Sequence, residues 1–174
     1  MGNDGHLFAI LGPMKLRVAT VTVSDTRTPE DDASGAALRQ ELSAFELLAH
    51  RIVPDEPEGL RAVVRELTGG VEAIVFTGGT GIAPRDQSPE ALVPLFDKEL
   101  QGFGEAFRRL SWDEVGPMSI LSRATAGTVG DMLVFVLPGS VKAARLGARS
   151  LVAPVLAHGV ALLRGQKHAH GGAA

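Results

Sequence analysis

A three-layer α/β/α domain on a mostly parallel, doubly wound sheet is the fold class this sequence predicts. Three observations carry that reading. Short apolar runs such as VEAIVFT (Val71–Thr77) and MLVFVLPG (Met132–Gly139) have the composition of strands covered on both faces. These runs alternate with segments of helical spacing, the pattern of a parallel sheet clothed by helices. No repeat or linker divides the 174 residues, a length that suits one domain with a sizeable core. Connection and handedness rules then favour double winding.

Residues 1–14 read as a flexible leader; they hold a short apolar patch but lack the basic region and cleavage pattern of a signal peptide. KLRVATVTVS (Lys15–Ser24) is rich in β-branched residues and predicts the first strand. In DDASGAALRQEL, Ala37, Leu38 and Leu42 share helical spacing, and Asp31 and Asp32 place negative charge at the helix start. Phe45–Pro54 predicts a second strand, stopped by its proline. Leu60, Val63, Val64 and Leu67 define one helical face, ended by Gly69 and Gly70. Val71–Thr77 is the third strand. After a glycine-rich loop, SPEALVPLF predicts a short helix with Ser88 as cap and Pro89 as its first residue. ELQGFGEAFRRLSW predicts a further helix despite Gly102 and Gly104. Its Trp112, like the phenylalanines, is expected in the core, and His50 and His158 are expected as packed or surface residues. Met132–Gly139 is the last strand, and residues 140–165 form a long helix bent at Pro154. The domain therefore spans 15–165, and residues 166–174, with His168 and His170, are expected to be a disordered tail.

Composition narrows the function. The formal net charge of −3 makes no electrostatic case for nucleic acid. With no cysteine, disulfides, thiolate metal sites and a cysteine nucleophile are excluded. No apolar run is expected to reach the length of a membrane helix, so a cytoplasmic protein without membrane partners is the expectation.

In open α/β sheets, ligands collect beyond the carboxyl ends of the strands. The third strand runs into TGGTGIAPRD (Thr77–Asp86). Gly78, Gly79 and Gly81 admit positive φ and let a ligand approach bare amides, which attract phosphate. Thr77 and Thr80 add hydroxyls. The loop lacks the GK[ST] of a P-loop and is not GxGxxG. Asp86 has the chemistry of a magnesium ligand, with Asp55 or Glu56 past the second strand as its companion. The first strand ends in Ser24, Asp25 and Arg27. The last ends in Gly139, Ser140 and Lys142 at a helix start, a second candidate anion site. Taken singly, each feature has another reading: a tight turn without ligand, Asp55 as a helix cap, Asp86 paired with Arg85, Ser24 and Asp25 as turn formers. The convergence of four strand ends on glycine, hydroxyl and carboxylate residues favours a ligand site.

The segments TVSDTR, VPDE, TGGTGIAPRDQSPEAL, GFGEAFRRLS, ILSRATAG and LPGSVKAA, in this order between Val18 and Arg145, resemble the MoaB/MogA family of molybdenum cofactor biosynthesis proteins. The resemblance implies a three-layer α/β fold that binds molybdopterin and assembles as a homo-oligomer, trimer or hexamer. In active members it implies adenylylation, in which the terminal phosphate of molybdopterin attacks the α-phosphate of Mg-ATP and pyrophosphate leaves. It further implies that Asp55 and Asp86 are the catalytic pair that positions Mg2+ and the phosphates. The loop Thr77, Gly78, Gly79, Thr80 and Gly81 would cradle molybdopterin, and Ser24 and Asp25 would contact nucleotide. Ser122, Gly139 and Ser140 would touch substrate. Other cofactor-assembly proteins are implied as partners. The last motif reads PGSVKAA where the adenylylating branch usually reads PGxP, which places the chain closer to the MoaB branch. The competing expectation is a non-catalytic molybdopterin- or nucleotide-binding carrier of the same pathway. Molybdate insertion and nucleotide hydrolysis belong to longer, multidomain relatives and fit less well.

Overall fold

The computed structural model describes residues 16–165, so the expected leader, Lys15 and the tail lie outside the described residues. Six strands form one sheet: β1 (Arg17–Val23), β2 (Glu46–Val53), β3 (Ala73–Thr77), β4 (Lys98–Glu99), β5 (Thr125–Val129) and β6 (Met132–Leu137), in the order β2-β1-β3-β6-β5-β4. The first three and β6 run parallel; at one edge β5 pairs antiparallel with β6 and β4 antiparallel with β5, so β5 alone is reversed. The α/β class expected from the strand–helix alternation is therefore correct.

Strand alternation divides the core in two. On β3, Ala73 and Val75 face one layer while Ile74 and Phe76 face the other; on β6, Leu133, Phe135 and Leu137 oppose Met132, Val134 and Val136. Both faces are apolar because both are covered. The first layer contains α1 (Ala33–Glu41), α4 (Gln101–Val115), α5 (Val141–Gly147) and α6 (Ala153–Leu163). The second contains α2 (Pro57–Leu67) and α3 (Ser88–Leu92), with Leu60, Val63 and Val64 of α2 buried on the face that their spacing predicts.

The final helix is interrupted as Pro154 requires. Residues Ala148–Val152 form a π turn, and the Ala153 amide donates to the carbonyl of Ala148, five residues back. A proline cannot donate and crowds the preceding turn, so the extra residue relieves the clash one turn earlier. Val141–Leu163 is long and apolar enough to cross a membrane by length and composition, but Lys142, Arg145 and Arg149 interrupt it, so it holds no unbroken apolar run of that length. Its inner stripe, Ala144, Ala148, Val152, Leu156 and Val160, packs on the sheet.

Three further expectations are corrected. The sequence reading contained neither β4 nor β5. The signal was present in Gly130–Asp131, a two-residue hairpin loop whose glycine has φ of 56°. Ser88 does not cap α3; its hydroxyl donates to the carbonyl of Gly78 at 2.9 Å. Trp112 is 51% exposed, as are in similar measure Val115, Met118, Ile120 and Leu121 close by in the chain, although Phe76, Phe107 and Phe135 are buried as expected.

Candidate functional site

The sheet order reverses direction between β1 and β3, so their carboxyl ends splay apart and leave a crevice. A cleft of roughly 370 Å³ occupies that position. It is lined by the strand ends: Ser24, Asp25 and Thr26 after β1, Asp55 after β2, Gly78–Gly81 with Arg85 and Asp86 after β3, and Gly139 after β6, with Ser122 from the approach to β5. Ten of the twelve residues that the resemblance implied thus share one concavity: Ser24, Asp25, Asp55, Gly78, Gly79, Thr80, Gly81, Asp86, Ser122 and Gly139; Arg27, Glu56 and Lys142 do not line it.

Thr77 and Ser140 do not line it. Thr77 is fully buried, and its hydroxyl donates to the Pro138 carbonyl at 2.8 Å, tying the ends of β3 and β6 together. Ser140 caps α5, its Oγ accepting from the Ala143 amide at 3.2 Å. A threonine at a strand end and a serine before a helix each had a local bond available, and both made it.

The glycine loop has the backbone its composition requires. Gly78 and Gly79 have φ of 121° and 64°. The Gly78 amide joins the sheet through the Leu137 carbonyl at 2.9 Å, and the amides of Gly79, Thr80, Gly81 and Ile82 find no acceptor among the described residues. Successive unpaired amides in such a turn form a concave anion site. The missing side chains also make room for the acids. A Cβ on Gly79 would collide with Oδ2 of Asp55, and one on Gly81 would lie 2.6 Å from Oδ2 of Asp86. The glycines therefore admit two carboxylates against two alternate loop residues.

Backbone amides place these acids, across separate strand ends for Asp25 and Asp55 and within the loop for Asp86. Oδ1 of Asp25 accepts from the Asp55 amide at 3.1 Å, and Oδ1 of Asp55 accepts from the Gln87 amide at 3.1 Å. Oδ2 of Asp86 accepts from the Ala83 amide at 2.8 Å. Asp55 does not cap α2; the residue at that position is Glu56, which makes no capping bond. Nor does Asp86 pair with Arg85. Among the described residues Arg85 has no ion-pair partner, and it lines the cleft with its charge available. Burial pushes the Asp55 carboxyl above its ordinary range, and the charges of Asp86 and Asp25 push the same way, against the Gln87 amide and Arg85. The Arg85 charge does not outweigh burial and the two acids, and a bound cation would lower the Asp55 pKa.

No cage of three or more His, Cys, Asp or Glu side chains occurs among the described residues. The donors present are two hard carboxylates beside an open cleft and unpaired amides. That set suits an ion that keeps several waters and shares phosphate oxygens, as magnesium does. Sequence reasoning passed over Arg85, which lines the cleft, and Arg123, which bonds the Gly81 and Asp86 carbonyls from outside it. Each was in view inside a quoted motif, but neighbouring acids and hydroxyls drew the assignment.

The family described as "Probable molybdopterin binding domain" matches residues 19–158. The chain is 44% identical over 149 residues to molybdenum cofactor biosynthesis protein B of Staphylococcus carnosus, covering 82% of this chain and 88% of that protein. It is 42% identical over 144 residues to the protein of the same name from Escherichia coli, covering 80% and 85%. A crystal structure of molybdenum cofactor biosynthesis protein B superposes with a TM-score of 0.85 at 40% identity, covering 90% of this chain and all of that one.

Proposed function

The chain belongs to the molybdenum cofactor biosynthesis family that shares the molybdopterin-binding domain, and from that premise we propose that its cleft binds molybdopterin and joins it to AMP taken from ATP. In this reading an oxygen of the terminal phosphate of molybdopterin attacks the α-phosphorus of ATP. The bond from that phosphorus to the β-phosphate oxygen breaks, and pyrophosphate leaves with the electron pair. Such a transfer asks for alignment and charge neutralisation more than for a protein nucleophile.

The roles follow from position. The amides of Gly79–Ile82 receive a phosphate, and Arg85 neutralises part of its charge. Asp55 and Asp86 would hold Mg2+, which when bound offsets charge on the phosphates and relieves the repulsion between the acids. Ser24 and Asp25 face the nucleotide, and Ser122 and Gly139 border the substrate. Thr77 and Ser140, first expected as contacts, act through the backbone instead. The observation that carries this reading is the pair of carboxylates set against Gly79 and Gly81 in one cleft.

We extend the same reading to assembly and setting. The exposed apolar side chains of Trp112, Val115, Met118, Ile120 and Leu121 support a homo-oligomer, trimer or hexamer. A cytoplasmic setting, with other cofactor-assembly proteins as partners, follows from use of ATP.

One observation favours the carrier alternative. Ser140, in the motif that departs from the adenylylating branch, is held as a helix cap and stays out of the cleft. Incubation with molybdopterin, ATP and Mg2+, followed by mass detection, separates the two. Adenylyl-molybdopterin and pyrophosphate are expected. Tight molybdopterin binding with no adenylylated product would establish the carrier, and no binding at all would overturn both.

A further inference from the structure

The turn from Gly81 to Asp86 aims one of the two acids, yet it has little packing of its own. Ile82, Ala83, Pro84 and Arg85 are all exposed. Inside the turn the Asp86 amide donates to the Ala83 carbonyl at 2.9 Å, and the Ala83 amide donates to Oδ2 of Asp86 at 2.8 Å. Those two bonds, with the Gln87 side-chain amide donating to the Pro84 carbonyl at 2.8 Å, shape the tip. They do not fix the turn relative to the sheet.

One side chain outside the cleft does. Nε of Arg123 donates to the Gly81 carbonyl at 2.8 Å, and its Nη2 donates to the Asp86 carbonyl at 2.9 Å. The two ends of the turn are thereby fastened to a single planar group. The Arg123 amide donates to the Thr80 carbonyl at 3.0 Å, so the adjoining backbone is held from the same residue. Arg123 itself is braced. Its Nη1 pairs with Glu90 of α3, and Nη1 of Arg108 on α4 donates to the Ser122 carbonyl at 3.2 Å, one residue before it.

The distribution of charge matters as much as the bonds. Arg123 meets Asp86 at its main-chain carbonyl, while its ion pair is with Glu90. The carboxylates of Asp86 and Asp55 are left available for a guest in the cleft. A lysine could not reproduce this arrangement, because a single ammonium cannot present the fork that spans two carbonyls and a carboxylate.

We propose that Arg123 is a positioning residue that clamps both ends of the Gly81–Asp86 turn and so holds Asp86 opposite Asp55. Its effect on turnover rests on the adenylylation reading above; its effect on the turn does not.

The test uses the full chain as wild type, Arg123→Lys, Arg123→Gln and Glu90→Gln. Amide hydrogen exchange is read first, without ligand. The two Arg123 variants should exchange at Ala83 and Asp86 about 10-fold faster or more, with exchange across Ala73–Thr77 unchanged. Glu90→Gln keeps both carbonyl bonds and should stay within about 3-fold of wild type. Adenylyl transfer is read second. Arg123→Lys should lose about 10-fold to 100-fold in kcat while KM for ATP moves less than about 3-fold. Wild-type exchange at Ala83 and Asp86 in Arg123→Lys overturns the proposal. So does faster exchange spreading to β3, which would make Arg123 a general support of the fold, and so does a loosened turn with undiminished kcat. Should wild type form no adenylylated product, the adenylylation reading falls and the exchange measurement alone decides the clamp.

Discussion

Asp32 and Asp55 are both withdrawn from water, and burial is the largest influence on each, yet their carboxyls move in opposite directions. Asp32 caps α1. It accepts from the Gly35 amide at 2.9 Å, from the Thr22 hydroxyl at 2.9 and 3.0 Å, and from Nε2 of His50 at 2.7 Å. Burial raises its pKa, but these donors outweigh burial and hold it below the usual range. The pKa of His50 is lowered chiefly by burial, against the bond to Asp32. Its Nε2 lies 2.7 Å from the Asp32 carboxylate, which can only accept, and its Nδ1 lies 2.8 Å from the Thr20 hydroxyl. Asp55 has one amide donor and two acidic neighbours. The same residue type is an anchor where the fold supplies donors and a receptor where it supplies more acid.

Removing the anchor should have the largest effect on stability. Asp32→Ala leaves the Gly35 amide, the Thr22 hydroxyl and the His50 ring without their acceptor, and should cost about 3 kcal/mol in denaturant unfolding. A loss below about 1 kcal/mol would erase the contrast. Removing Asp86, the acid that faces Asp55 in the cleft, should act on function instead. Asp86→Asn should change stability by less than about 1 kcal/mol and reduce adenylyl transfer about 100-fold or more, near 2.7 kcal/mol of barrier. Equal losses of stability in both variants would show that Asp86 is another anchor.

The glycine loop offers an intermediate case. Gly79→Ala introduces a Cβ at φ 64° and against Asp55 and Ser88, and should destabilise by about 1–2 kcal/mol while displacing Asp55. A thermal melt superimposable on wild type would deny the close approach.

pH sharpens the contrast with the smallest effect. The folded pKa of Asp32 lies below its ordinary value of 3.8, so its contribution is present above that value and is lost as pH falls through the folded value. His50, lowered from 6.5, stays neutral when the unfolded chain takes up a proton, so stability also falls as pH drops below 6.5. Asp55 has the opposite sign. Its folded pKa is raised above 3.8, the folded state binds the proton more tightly, and stability declines as pH rises through that window. Asp55→Asn should therefore be more stable than wild type at pH 7, by less than about 1 kcal/mol, and should lose that advantage below pH 3.8. Urea midpoints at the two pH values check this; a deficit at pH 7 would reverse the assigned sign.

Much of this architecture was legible along the chain. The strands β1, β2, β3 and β6 and the buried face of α2 follow from apolar period and from turn residues within a few positions of each element. The cleft was legible as a set, because strand ends in an α/β sheet converge and these carry glycine and acid together. The misreadings share a cause. Ser88 looked like a cap, but the Gly78 carbonyl ten residues earlier claims its hydroxyl. Trp112 looked like core, but α4 turns it toward solvent. Thr77 and Ser140 looked like ligand contacts until neighbouring backbone groups took their hydroxyls.

Contiguous residues were enough to establish the kind of elements, the bareness of the loop and the types of acid and hydroxyl available near it. Backbone hydrogen bonding and the partition of side chains from water act over a few residues, so their record is local. Which acid would be held by donors and which left facing its own kind depended on contacts between Asp55 and Gln87, Asp25 and Asp55, or Arg123 and Gly81, each at least thirty residues apart. Those distances exist only after the strands take their register, and electrostatic interaction depends on distance in space, not on separation along the chain.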